Sequence, residues 1–329
     1  MATEAVVISH RKDADGICSA ALVRYLTGAD VFLTDYGDMV ETLSKVGEAK
    51  DYYICDLGTN QNTFEGFLEQ VNRFSNHGMV HYIDHHPLNP SNASVLQKAG
   101  VDLTHSVEEC ASVLVYKKYE EKFRESPQMK IAACCGAITD YMDLRPFAKK
   151  IIASFDRQFL LYEATVLSFS ISVIGRGSKA SDAKLVKLVK ELAKSKLPHE
   201  IEGASGYAQK HAERSADLIE LARKNGKKMK NFAYLVTKES ATGNVANFLI
   251  GAFDVPVAAA LREEVLEYYE ISLRSVDESK HDLGKIIGKI ASELNASGGG
   301  HPHASGARIK RAQLEKFLTL LDEELSGSA

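Results

Sequence analysis

A chain of 329 residues is long enough for two domains, each burying its own core. Apolar residues make up 45% and charged residues 26%, the balance of a soluble globular protein, and no uninterrupted apolar run is long enough to cross a bilayer. A net charge of −4 argues against a protein that coats long nucleic acid through a basic face, but not against short anionic substrates held by metals.

The N-terminus, "MATEAVVISHRKDADG", carries an early Glu and runs straight into charges, so it resembles no secretory signal and a cytoplasmic location is expected. From there short apolar runs alternate with amphipathic ones. Strands are predicted at "AVVISH" (5–10), "VFLTDY" (31–36), "YYICDLG" (52–58) and "MVHYIDHH" (79–86), and helices at "ICSAALVRYLTG" (17–28), "MVETLSKVGEA" (39–49) and "TFEGFLEQVNRF" (63–74). That order implies βαβ units and a parallel sheet. Helical spacing continues through 106–123 and 129–142, and 147–195 reads as almost wholly helical. After a charged connecting helix, strands are predicted at 231–237, 256–264 and 268–276, and helices at 244–253, 283–294 and 311–325. The expected fold class is therefore α/β: a parallel-sheet domain (1–200), a helical linker (201–230) and a smaller α/β domain (231–329), with the active site in the cleft between them. Cys18, Cys55, Cys110, Cys134 and Cys135 lack the spacing of a zinc or redox motif and read as reduced core residues.

The strand ends of the first domain carry the chemistry. "AVVIS" ends in His10, Asp13 and Asp15, "YYIC" in Asp56, and "MVHYI" in Asp84, His85 and His86. In an open parallel sheet the carboxyl ends share one edge, so these residues are expected to meet. Taken singly, an Asp after a strand is most often the N-cap of the next helix, "DADG" is a turn, and adjacent histidines are a solvated loop. Recurrence at three strand ends favours a metal centre, because two divalent ions need several oxygen and imidazole donors and a carboxylate to bridge them. The donor set suits Mn²⁺, tolerates Mg²⁺ or Co²⁺, and lacks the thiolates of structural zinc.

"DADG", "CDLG", "DHHP" and "GAITD", followed by "GGGHPHASGARI", resemble in order and spacing the DHH phosphoesterase superfamily with its DHH-associated second domain. The resemblance implies that Asp13, Asp15, Asp56, His85 and Asp140 ligate metal, with Asp56 the bridge, and that Asp84 and His86 serve catalysis, His86 facing the substrate phosphate. His10 stands one residue nearer the first Asp than in many relatives, so its reach to the metal is left open. Asp143 is expected to be a cap or surface residue.

In the second domain "SGGGHPHASGA" reads as a glycine loop at which Gly299, Gly300 and His301 approach substrate, and the resemblance adds Arg274 and Ser275 as contacts to a terminal phosphate or base. His303 and Ser305 are weaker candidates, and Arg176, in a glycine-bounded loop, is assigned no role. The expected function is hydrolysis of short 5′-phosphorylated oligonucleotides or linear dinucleotides to nucleoside monophosphates, by water activated between two metal ions. The competing readings are a RecJ-like single-strand exonuclease, a manganese pyrophosphatase or exopolyphosphatase, and a catalytically inactive nucleotide-binding subunit. No membrane partner is expected, and a homodimer is compatible with the sequence.

Overall fold

The computed structural model describes residues 3–175, 180–264, 267–276 and 281–327. Arg176 lies outside them. The chain divides into two compact units, Met1–His211 and Ala212–Ala329.

The first unit opens with β1 (Thr3–His10), α1 (Ala14–Thr27), β2 (Asp30–Thr34), α2 (Met39–Ser44), β3 (Ala49–Cys55), α3 (Phe64–Ser75), β4 (Met79–Asp84), α4 (Pro90–Lys98) and β5 (Asp102–His105). The strands form one parallel sheet in the order β2-β1-β3-β4-β5. Its two faces follow the period-2 alternation of the strands. Val6, Ile8, Tyr52, Ile54, Val80 and Tyr82 pack against Met39, Leu43, Phe67, Val71, Phe74 and Leu96 of α2–α4. The opposite face, with Val7, Tyr53, Cys55 and Ile83, meets α1 and the later helices α5 (Ala111–Lys118), α6 (Pro127–Thr139), α7 (Pro146–Ile152), α8 (Arg157–Ile174) and α9 (Ala180–Leu192). Right-handed crossovers explain the division, because β1 to β2 steps one way across the sheet and every later step runs the other way. The strand order reverses between β1 and β3, and that reversal is where an open parallel sheet presents a crevice at its carboxyl edge. All five cysteines are free and buried.

Sequence reading missed α4 and β5. α4 buries only Leu96 and opens on Pro90, which looks like a turn residue although Asn89 caps it by accepting from the Ser91 N–H. β5 is a four-residue edge strand with no fully buried residue. The helix expected over 106–123 begins only at Ala111. Glu109, instead of continuing a helix, accepts from the N–H groups of Phe147 and Ala148 at the start of α7, at 2.5 and 3.0 Å.

The long α10 (Ala204–Asn225) supplies its later residues to the second unit, which continues with β6 (Lys227–Lys228), β7 (Ala233–Thr237), α11 (Thr242–Phe253), β8 (Val257–Glu263), β9 (Tyr268–Ser275), α12 (Leu283–Glu293), β10 (Ser297–Gly300), β11 (Ala304–Lys310) and α13 (Leu314–Ser326). The sheet order is β10-β11-β9-β8-β7-β6, and only β7 and β8 run parallel. α12 and α13 cover one face, while α11 with Leu218 and Ala222 of α10 covers the other.

One correction falls on the glycines. Gly298–Gly300 are not a loop but the edge strand β10, paired with β11. A Cβ on Gly298 would stand 3.0 Å from both Ala291 and Ile287 of α12, and one on Gly300, whose φ is +144°, would lie 2.6 Å from the Ala304 carbonyl oxygen. At Gly298 and Gly300 the strand lies too close to its neighbours for a side chain, while Gly299, with open space around it, takes a φ of +154° that other residues rarely adopt.

Candidate metal centre

β1 ends in His10, and the turn after it leads into α1. Asp13 caps that helix, accepting from the Gly16 N–H at 3.0 Å, while its other oxygen lies 2.6 Å from Nδ1 of His10. The capping role and the cluster role are thus filled by the two oxygens of one carboxylate. Asp15, in the first turn, is 1% exposed and held from the far side. It accepts from the N–H groups of Ala111 and Ser112 at 2.8 and 2.9 Å and from the Ser112 hydroxyl at 2.5 Å, so the first turn of α5 fixes its orientation. Gly136 makes this possible, because a Cβ there would sit 2.1 Å from the Ser112 oxygen.

Asp56 follows β3 in a left-handed conformation, φ +54°, with its N–H bonded to the Ile83 carbonyl. It lies between the two halves of the cluster. Oδ2 faces Nδ1 of His10 at 3.6 Å, and Oδ1 faces Nε2 of His85 at 3.3 Å. His85 Nε2 is also 3.6 Å from Asp140 and 3.9 Å from Asp15. Three groups of donors close enough to share an ion result: His10, Asp13 and Asp56; Asp56, His85 and His86; and Asp15, His85 and Asp140. Asp143, by contrast, pairs with Arg157 at 3.5 Å.

His86 Nδ1 is 3.9 Å from Asp56, but the 3.0 Å contact with Asp84 Oδ1 claims that nitrogen. Asp84, 1% exposed, also accepts from Tyr82 and from the His86 N–H, and His105 donates to the His86 carbonyl at 2.7 Å. Asp84 therefore orients His86, whose Nε2 meets the hydroxyl of Tyr36 at 2.8 Å. The ring of Tyr36 also lies 4.8 Å from that of His10.

The residues fit divalent cations. Oδ2 of Asp56 and both ring nitrogens of His10 are buried without an aligned hydrogen-bond partner, which is costly unless something else binds them. Burial, then the charges of Asp15 and Asp13, push the Asp56 carboxyl up to about 7, and burial with the Asp15 charge does the same to Asp140. Burial opposes protonation of the histidines, but the carboxylates outweigh it and raise His10 to about 10 and His85 to about 9. Without metal the imidazoliums offset the crowded negative charge, and each must lose its proton to become a ligand.

Residues 4–138 match the model of the DHH family, N-terminal domain, and residues 230–327 that of the DHHA1 domain. The chain belongs to the DHH phosphoesterase superfamily. Its C-terminal part is the DHHA1 domain. No curated protein sequence matches it. The fold is similar to that of RecJ in complex with Mn²⁺ from Thermus thermophilus, with TM-score 0.64, 17% identity and 98% of this chain covered. The chain spans about half (52%) of that RecJ. A pGpG-specific phosphodiesterase, PggH, from Vibrio cholerae is similar over 98% of this chain and 100% of its own, with TM-score 0.56 and 16% identity. CDC45 from Entamoeba histolytica is similar with TM-score 0.57 and 9% identity, over 98% of this chain and 95% of its own.

In the DHHA1 domain the candidate residues gather at one end of the sheet. Arg274 pairs in register with Ala304, and Gly300 with Ser305. The Ser275 N–H donates to the His303 carbonyl at 3.0 Å, and His301 and Ala304 exchange backbone hydrogen bonds. Ser305 is buried and donates to the His301 carbonyl. His301 and His303 are exposed. Arg274 lies against the first turn of α11, where a Cβ on Gly243 would be 2.5 Å from its Nη2.

Four residues of the site are not among those expected from the sequence: Tyr36, Ser112, His105 and Asp35, whose carboxylate lies 3.5 Å from Nε2 of His10. A signal existed for Tyr36 and Asp35, since "VFLTDY" is a fourth strand end on the same sheet edge. Ser112 carries none, being one small residue in a helix start.

Proposed function

We propose that the chain is a metal-dependent phosphodiesterase that hydrolyses short 5′-phosphorylated oligonucleotides or linear dinucleotides to nucleoside monophosphates. The observation that carries this reading is Asp56, whose two oxygens face opposite donor groups, one of them buried and unpartnered. His10, Asp13, Asp15, Asp56, His85 and Asp140 would hold two cations, for which carboxylate and imidazole donors suit Mn²⁺. When bound, such a pair supplies an activated water and neutralises the phosphate. His86, held through Nδ1 by Asp84, offers Nε2 to a phosphate oxygen in exchange for the Tyr36 hydroxyl. The water oxygen gives up a proton as it bonds to phosphorus, the ester P–O bond breaks, and the departing ribose oxygen takes up a proton in its place. Arg274, with Ser275, Gly299, Gly300 and His301, is suited to a terminal phosphate through its planar guanidinium.

Short substrates are favoured by the net charge of −4, since long single strands need basic grooves. The PggH likeness, which covers the whole of that phosphodiesterase, agrees. A RecJ-like exonuclease is the second reading, supported by the higher TM-score of RecJ. Rates on 5′-phosphorylated substrates from dinucleotide to long strand, with Mn²⁺ and with chelator, separate the two. Activity rising toward dinucleotides upholds the first, and activity rising toward long strands replaces it with the second.

A further inference from the structure

Helix α6 ends in a turn that selects glycine. The Met142 N–H reaches the Ala137 carbonyl at 2.8 Å and the Tyr141 N–H that of Ile138 at 3.4 Å, the paired bonds of a Schellman ending. Such an ending puts its penultimate residue in the left-handed region, and that residue is Tyr141, with φ +58°. A bulky L side chain is strained there, whereas glycine is not. The strain brings no packing in return, because Tyr141 is 93% exposed, the most exposed large apolar side chain among the described residues. The turn around it is nonetheless anchored. Met142 is buried, and Asp143 is tied to Arg157 at 3.5 Å. Leu144, 75% exposed, stands out from the same turn.

A surface tyrosine in relaxed backbone needs no explanation, but a strained and unpacked one does. Its position supplies the explanation. Tyr141 directly follows Asp140, whose carboxylate is 3.6 Å from His85 in the metal cluster. Adjacent Cα atoms are about 3.8 Å apart, so the backbone of Tyr141 lies directly beside the residue that would hold the metal. We propose that Tyr141, flanked by Leu144, is the stacking platform for the nucleobase next to the phosphate under attack. This rests on the reading that the substrate is a nucleotide phosphodiester. Stacking tolerates any base, so the platform sets the need for a base and not its identity.

The test uses the full-length protein with Mn²⁺, a 5′-phosphorylated dinucleotide, and the same compound lacking its bases. Tyr141→Gly is expected to lower kcat/KM on the dinucleotide about 10-fold to 100-fold, mainly through KM, and to leave the baseless substrate unaffected. Tyr141→Phe retains the wild-type rate. Misfolding is not the cause if Tyr141→Gly melts at or above the wild-type temperature, as relief of strain requires. Equal rates for Tyr141→Gly and wild type on the dinucleotide, or equal losses on both substrates, would overturn the proposal. Because the chain has no tryptophan, Tyr141→Trp adds a single indole. AMP should quench its emission and inorganic phosphate should not. If the wild type cleaves no dinucleotide, the phosphodiesterase reading fails by itself, and the platform then stands on quenching by AMP or falls without it.

Discussion

At the carboxyl ends of β1, β3 and β4, His10, Asp15, Asp56 and Asp84 are each at most 5% exposed, and carboxylates crowd around imidazoles at the buried edge of a parallel sheet. At one end of the DHHA1 sheet, His301 and His303 are exposed, and Arg274 and Ser275 are half-buried on β9, separated from the glycine strand by β11. Until a cation arrives only imidazoliums offset the carboxylates of the first arrangement, and its residues are held by the rest of the fold: Asp15 by α5, Asp84 by Tyr82, Asp56 by the backbone of β4. The second carries no comparable charge, and its shape depends on backbone that only glycine permits. A site built on buried charge and a site built on close backbone contact should fail in different ways.

The largest difference is expected at Asp56. Asp56→Asn should lower the rate about 10³-fold or more, the loss of several kcal/mol of metal-centred stabilisation, and abolish the rise in melting temperature caused by Mn²⁺. The metal-free variant should melt no lower than wild type, because burial and the Asp15 charge already disfavour the ionised carboxylate. A lower melting temperature without metal would break the comparison. Gly300→Ala is the counterpart in the DHHA1 domain. It should cost about 1–3 kcal/mol of that domain's stability through backbone strain and leave the Mn²⁺-induced shift of the DHH domain intact, as denaturant titration with and without metal would show.

Two smaller effects sharpen the picture of the DHH domain. Tyr36→Phe removes the hydroxyl from His86 Nε2 and should change kcat about 2-fold to 10-fold, the worth of one hydrogen bond, with the Mn²⁺ shift retained. The smallest lies away from the metal. Burial would raise the Asp102 carboxyl, but Lys118 at 2.6 Å and His81 at 2.7 Å outweigh it and hold it below the usual range. A carboxyl lowered in the folded state adds stability at neutral pH that is lost as pH falls through and below the ordinary carboxylate range. Asp102→Asn should therefore flatten the acid limb of stability against pH, slightly, because the carboxylate is 39% exposed and solvent screens it.

The order of strands and helices was legible because apolar periodicity is a local property: period 2 in "AVVIS" and "YYIC", period 3.6 in "FEGFLEQVNRF". The candidate ligands at the ends of β1, β3 and β4 were legible too, since acidic and imidazole residues end those three runs, whereas Asp140, at the end of α6, was named only through the family resemblance. α4 and β5 were not, because each buries too little to leave a pattern, and the glycine strand was not, because strand propensity argues against it.

By itself the amino-acid order determined the alternation of elements, the residue types at the strand ends and the glycines that allow close approach, all of which follow from chemistry within a few positions. The tertiary structure alone decided that the two oxygens of Asp56 face different donor groups, that Asp84 orients His86 toward Tyr36, and that Tyr141 stands strained beside Asp140. Those are relations between side chains tens of residues apart, or torsions imposed by a helix end, and distances and torsions of that kind exist only once the strands have taken their places in the sheet.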